Sequence, residues 1–117
     1  MIYTVEFYQT SQGESPVDEF LDDLPEKLRG KIEKWLQLLE GKGPDLPRPY
    51  ADILRGKIRE LRVSFGHYEC RLLYFIHGET IVITNGFLKK TQKVPPNVID
   101  RAERCRTDWL SRYGKGG

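Results

Sequence analysis

Residues 58–88 read IRELRVSFGHYECRLLYFIHGETIVITNGFL, and the fold turns on how this stretch is read. Ile58, Glu60, Arg62 and Ser64 alternate with Arg59, Leu61, Val63 and Phe65, the period of two that places successive side chains on opposite faces of a strand. Phe65-Gly66-His67-Tyr68 looks like a turn. Tyr68–His77 and Thr80–Leu88 are rich in β-branched and aromatic residues, and the tight His77-Gly78-Glu79 turn joins them as a hairpin. Three strands in a row therefore form the centre of the chain.

Upstream, residues 1–8 mix Ile2, Val5 and Phe7 with Tyr3, Thr4, Glu6 and Tyr8, a β-rich opening read as a strand. Ser15-Pro16-Val17-Asp18 is a helix start: Ser caps, Pro suits the first helical position, and Asp18 stands three residues after the cap. Val17, Phe20, Leu21 and Leu24 then give one apolar face. Pro25 restarts the helix, and Leu28, Ile32, Trp35, Leu36 and Leu39 form a second stripe, closed by Gly41 and Gly43-Pro44. The two helices read as a hairpin with an acidic outer surface. Residues 41–49, GKGPDLPRP, are linker-like but too short to separate domains. Downstream, a last helix begins at Pro95-Pro96 and turns Val98, Ala102, Cys105 and Trp109 to the core, with Arg101, Arg104 and Arg112 largely off that stripe. The order β, helical hairpin, three strands, helix predicts an α+β domain: a small antiparallel sheet with helices segregated to one face. A single domain over residues 1–113 is expected, with 114–117 as a flexible tail.

The 117 residues suffice for one modest core. No stretch approaches the roughly 20 apolar residues of a membrane span. The N-terminus enters alternating apolar residues with no basic start, apolar signal core or small-residue cleavage site, so a cytoplasmic protein is expected. Cys70 and Cys105 are too far apart in sequence for a CxxC unit and are expected as reduced thiols in or near the core.

Net charge is only +2, but it is segregated. Residues 1–54 carry six Lys/Arg and eleven Asp/Glu, a balance of −5; residues 55–93 carry eight and three, +5; residues 94–117 carry five and three, +2. An acidic front and a basic middle suggest a surface that faces a polyanion.

The basic middle carries the chemistry. Arg62 and Arg71 fall on neighbouring strands either side of the Gly66 turn, and Lys89 and Lys90 follow the strand that ends at Leu88. Converged on one face, these cations would grip phosphates, and a guanidinium can stabilise charge developing at phosphorus. The plain alternative is a set of solvated charges on half-buried strands. Arg55, Arg59 and Tyr68 are candidates for RNA contact, Tyr68 by stacking on a base; Tyr74, on the same face of its strand, fits the core better. His67, in a turn, and His77, at a strand end, are of a residue type that acts as general acid or base near neutral pH, although turn histidines are more often simply polar. Asp22 and Asp23 belong to the solvated helical surface. Ser64 and Ser111 lack a nucleophile-elbow context. There is no GxxxxGK[ST] or GxGxxG phosphate loop, no HExxH and no paired-cysteine spacing, so neither a cofactor nor a metal is expected.

Ile58-Arg59-Glu60-Leu61-Arg62, Tyr68-Glu69-Cys70-Arg71-Leu72-Leu73-Tyr74 and Asn85-Gly86-Phe87-Leu88-Lys89-Lys90-Thr91-Gln92-Lys93 with Pro95 resemble the phage-related HigB-like branch of the RelE/ParE toxin superfamily. The likeness covers nearly the whole chain. It implies a RelE-like fold, a two-gene toxin–antitoxin module, and a partner antitoxin, usually a helix-turn-helix protein in this branch. It also implies cleavage of mRNA on the ribosome by attack of the ribose 2′-OH on the adjacent phosphate, a reaction that needs a base, an acid and cations around the phosphate oxygens. Carried over by position, Arg71 matches the arginine contacting the scissile phosphate, Arg62 the arginine of the Glu-Leu-Arg block, and Lys89 and Lys90 the basic pair after the last strand. The sequence departs from RelE in lacking a tyrosine shortly after Lys90. Lys57, Lys93 and His67 are the substitutes to examine, a lysine base requiring a strongly lowered pKa. Two other outcomes fit such a scaffold: a non-enzymatic poison of the gyrase-binding ParE type, or an inactive phage-derived binding module.

Overall fold

The computed structural model describes residues 2–89 and 93–114. Five strands form one sheet in the order β1-β5-β4-β3-β2, with β1 at Thr4–Phe7, β2 at Ala51–Arg55, β3 at Ile58–Phe65, β4 at Tyr68–His77 and β5 at Thr80–Leu88. Helices α1 (Pro16–Asp22) and α2 (Glu26–Lys42) precede β2, and α3 (Pro96–Tyr113) follows β5. The α+β class and the strand–helix–helix–strands–helix order agree with the sequence reading.

Three details differ from it, each for a physical reason. The sheet is mixed rather than antiparallel: β1 pairs parallel with β5, Thr4 opposite Thr80 and Phe7 opposite Ile83. Strands joined by two-residue turns must run antiparallel, but β1 reaches the sheet through a long helical connection, which leaves its direction free. Ala51–Arg55 is an additional edge strand, antiparallel to β3; its side chains, Asp52, Arg55 and an exposed Ile53, carry no core-facing alternation to betray it. The helices also cover both faces of the sheet rather than one. On one face Leu28, Ile32, Leu36 and Leu39 of α2 and Val17 of α1 pack with Leu61, Val63, Cys70, Leu72, Tyr74, Ile81 and Ile83. On the other, Ala102, Cys105 and Trp109 of α3 pack with Ile58, Leu73, Phe75 and Val82. Two-sided cover explains why β4 and β5 contain runs such as Leu72–Ile76 and Ile81–Ile83, apolar on consecutive positions: a strand buried on both faces loses its alternation.

Local chemistry behaves as read. Ser15 Oγ accepts the Asp18 N–H at 3.2 Å and caps α1. Gly66 and Gly78 take φ of 58° and 61° at the β3–β4 and β4–β5 turns, a region that side-chain-bearing residues rarely adopt. Gly86 has another role: a Cβ built there would lie 2.6 Å from the Phe20 ring and 2.7 Å from Leu72, so its missing side chain is what lets α1 approach β5. Cys70 and Cys105 are free, buried and on opposite faces. Among the described residues no helix is long and apolar enough to cross a membrane.

Candidate nucleic-acid interface

Directly opposed residues on antiparallel strands share a face, so the pairing of Arg62 with Arg71 sets the two guanidiniums side by side. The next residue across is Phe87 of β5. Beyond that row come Ser64 opposite Glu69, and then Lys89, whose backbone N–H donates to Glu69 O at 2.7 Å. All lie on the sheet face that α3 covers, toward the β3–β4 turn.

Like charges directly opposite one another repel, and carboxylates hold this pair in place. Glu60, two residues before Arg62 and only 4% exposed, divides its oxygens: Oε2 lies 3.0 Å from Arg62 Nη2, Oε1 3.3 Å from Arg71 Nε. Asp52 of β2 reaches Arg62 at 3.3 Å and Arg48 at 3.1 Å, and Glu69 reaches Arg71 at 3.5 Å. A hydrogen bond from the Ile53 N–H, then one from Arg48, hold the Asp52 carboxyl below its usual range. Arg71 also donates to Cys70 O at 3.1 Å. Arg71 Nε and Glu60 Oε1 are close enough to pair yet neither completes a hydrogen bond; the separation is that of an ion pair, the alignment is not that of a hydrogen bond.

β2 ends its pairing with β3 at Ala51 opposite Leu61. Past that point the edge of β3 is held by the Arg62 N–H donating to Tyr50 O at 2.8 Å. A cleft of about 320 Å³ opens along this edge. Lys31 and Trp35 of α2 with Pro49 and Tyr50 form one wall; Arg62, Ser64, Glu69 and Arg71 form the other. The Lys31 ammonium donates to Ser64 O and lies 5.2 Å from the Trp35 ring centre.

The remaining sequence candidates disperse. Arg59 and Tyr68 belong to the opposite face: Arg59 pairs with Tyr74, and Tyr68 packs on the α1–α2 core. Arg55 is engaged by α3, its Nε 2.7 Å from Glu103 and its Nη2 2.5 Å from Asp100. Lys57 stands in the β2–β3 turn, at the opposite end of β3 from His67. His67 is exposed and stacks on Tyr68 with ring centres 4.4 Å apart. His77 packs edge-on against Trp109 at 5.5 Å. Lys93 is exposed ahead of α3, and Lys90 lies outside the described residues, as do residues 115–117. Among the described residues, no group of three or more His, Cys, Asp or Glu converges as a metal site.

Sequence reasoning missed Glu60, Asp52 and Glu69 as partners of the arginines, and Lys31, Trp35 and Tyr50 as the facing wall. One signal was available: Glu60 shares the parity of Ile58 and Arg62 on a central strand, and a carboxylate at a covered position requires a cation. The wall has no local signal, because α2 and Tyr50 meet β3 only in the folded chain.

A profile of the family described as phage-derived protein Gp49-like matches residues 19–107. Among solved structures, the chain is similar to the toxin RelE of Escherichia coli, an arginine-to-alanine double mutant in the free state, with a TM-score of 0.58, 15% identity and coverage of 89% of this chain and 97% of that one. It is also similar to the toxin–antitoxin complex RelBE2 from Mycobacterium tuberculosis, with a TM-score of 0.56, 22% identity and coverage of 76% and 100%. At these identities the likeness establishes the RelE-like fold. A comparison with curated proteins gave no match.

Proposed function

The chain belongs to the phage-derived Gp49-like family, and on that footing we propose that it is the toxin of a two-gene toxin–antitoxin module, a cytoplasmic endoribonuclease acting on mRNA at the ribosome. The observation that carries the reading is the Arg62–Arg71 pair held by Glu60. Replacing a buried ion-pair network with apolar residues of similar volume is commonly neutral or stabilising. A sheet that needed only stability would gain nothing from two opposed arginines and a buried carboxylate, whereas a surface that binds phosphate would.

The chemistry needs no cofactor. The 2′-oxygen attacks the adjacent phosphorus, the bond from phosphorus to the 5′-oxygen breaks, and the products are a cyclic 2′,3′-phosphate and a 5′-hydroxyl. Arg62, a third exposed, meets the non-bridging oxygens, with Arg71 behind it. Glu69, half exposed and beside Arg71, accepts the 2′-proton; Lys89, backbone-bonded to Glu69, supplies the proton to the leaving oxygen. The ribosome contributes positioning. The partner is an antitoxin, of helix-turn-helix type in the branch the sequence resembles; the RelBE2 complex, with its toxin and antitoxin together, supports such a pairing.

A second reading is a toxin that poisons its target by binding alone, which needs the scaffold and a binding surface but no acid or base. Inducible expression separates the two. Wild type should arrest growth and create new mRNA 5′ ends in phase with codons, and Arg62→Ala, checked for folding by circular dichroism, should lose both. Arrest without new ends would establish the binding poison, and absence of arrest from soluble protein would leave an inactive module.

A further inference from the structure

We propose that the cleft at the β3 edge is a one-nucleotide subsite, in which the Tyr50 ring, backed by Trp35, stacks on a base of single-stranded RNA while Arg62 and Lys31 hold its phosphate; this rests on the RNA reading above. Tyr50 is 38% exposed and lines the cleft beside Arg62. Its ring meets Trp35 edge-on, with centres 6.0 Å apart and planes at 67°. Such a contact steadies the ring, and a ring lining an open cleft offers a base a surface to stack on.

The cation and the ring are held in register. The Tyr50 N–H donates to Pro47 O at 2.9 Å, and Tyr50 O accepts the Arg62 N–H at 2.8 Å. That backbone hydrogen bond ties the residue carrying the ring to the residue carrying the guanidinium, and both line the cleft. Lys31 adds a second charge at the lip, fixed by Ser64 O and by the Trp35 and Phe65 rings. Arg71, nine-tenths buried, lines the same cleft, with its Nε held in the ion pair with Glu60. The volume, about 320 Å³, suits one nucleotide rather than a folded segment. Every base presents a π face, so the subsite tolerates sequence.

The test is a titration of ¹⁵N-labelled protein with the four nucleoside 5′-monophosphates and with ribose 5-phosphate, followed by NMR, in wild type, Tyr50→Ala, Tyr50→Phe and Arg62→Ala. The nucleotides should move the Trp35 indole N–H and bind about tenfold more tightly than ribose 5-phosphate. Tyr50→Ala should bring the nucleotides down to the ribose 5-phosphate level without altering the latter, Tyr50→Phe should keep the difference, and Arg62→Ala should weaken every ligand. Equal binding of nucleotides and ribose 5-phosphate in wild type, or a preference that survives Tyr50→Ala, would overturn the subsite while leaving the phosphate-binding arginines in place. Failure of every ligand to bind wild type at millimolar concentration would overturn the subsite, while the RNA reading stands or falls on the mapping of mRNA 5′ ends.

Discussion

Glu60 Oε1 stands 3.3 Å from Arg71 Nε with both side chains almost wholly out of solvent, 5% and 7% exposed. Arg71 is further balanced by Glu69, and Glu60 by a hydrogen bond from Arg62. Removing one partner of such a pair strands the other charge, at a cost of about 3–5 kcal/mol, while replacing both with apolar residues avoids the penalty. Glu60→Ala and Arg71→Ala should therefore each lower stability to urea by that order, and Glu60→Leu/Arg71→Leu should recover most of it. Toxicity should not return with stability, because the double variant has lost the arginine. Restored stability together with restored growth arrest would show Arg71 to be structural only.

How much of this was visible in the sequence follows from where each signal is stored. The meander was legible because Ile58–Leu88 carries its own period and its own Gly turns. The direction of β1 and the side of the sheet taken by α3 are long-range choices, and no local pattern encodes them. Arg62 and Arg71 were found as a pair since the Gly66 turn fixes their register. Their neutralisation was not, because Asp52 reaches Arg62 only once β2 joins the edge. Trp35 was read as core from its helical spacing; it sits one position off the buried Ile32–Leu36–Leu39 stripe, which turns it toward the cleft.

Gly86 offers a sharp test of the α1 contact. A methyl group there would overlap the Phe20 ring and Leu72, and overpacking of this kind costs about 1–3 kcal/mol. Gly86→Ala should lower Tm, and Phe20→Leu in the same background should restore part of the loss by freeing the space. If Gly86→Ala were neutral by calorimetry, the close approach of α1 to β5 would be wrong.

Stability should fall in alkali. Burial pushes the Cys70 thiol from 9.0 up to about 12 and the Tyr74 phenol from 10.0 up to about 12; Tyr8 also rises to about 12, through burial and then its hydrogen bond to Asp108. A group that holds its proton more tightly when folded contributes stability fully below its unfolded pKa and loses it as pH climbs through the folded value. The urea midpoint should therefore be level up to pH 9, where Cys70 would ionise in the unfolded chain, and decline from there toward pH 12. Cys70→Val should make the decline from pH 9 shallower without abolishing it, because burial also raises the Cys105 thiol from 9.0. A midpoint level through pH 11, inside the window set by these groups, would contradict their burial.

The two ends of β3 should differ in function. Arg55 lies at the end away from the arginine pair, with its guanidinium held by Asp100 and Glu103 of α3; hydrogen bonds to those carboxylates, Asp100 first, raise its pKa further. Lys57 shares that end, and the eight residues of β3, at about 3.3 Å each, carry the chain well away from it before the Gly66 turn. Arg55→Ala and Lys57→Ala should thus leave growth arrest and the pattern of mRNA 5′ ends unchanged, while Arg62→Ala removes both. Side-by-side induction of the three variants, with soluble protein measured in each culture, gives the comparison. Loss of arrest in Arg55→Ala at wild-type protein levels would move the RNA path onto α3 and away from the β3 edge.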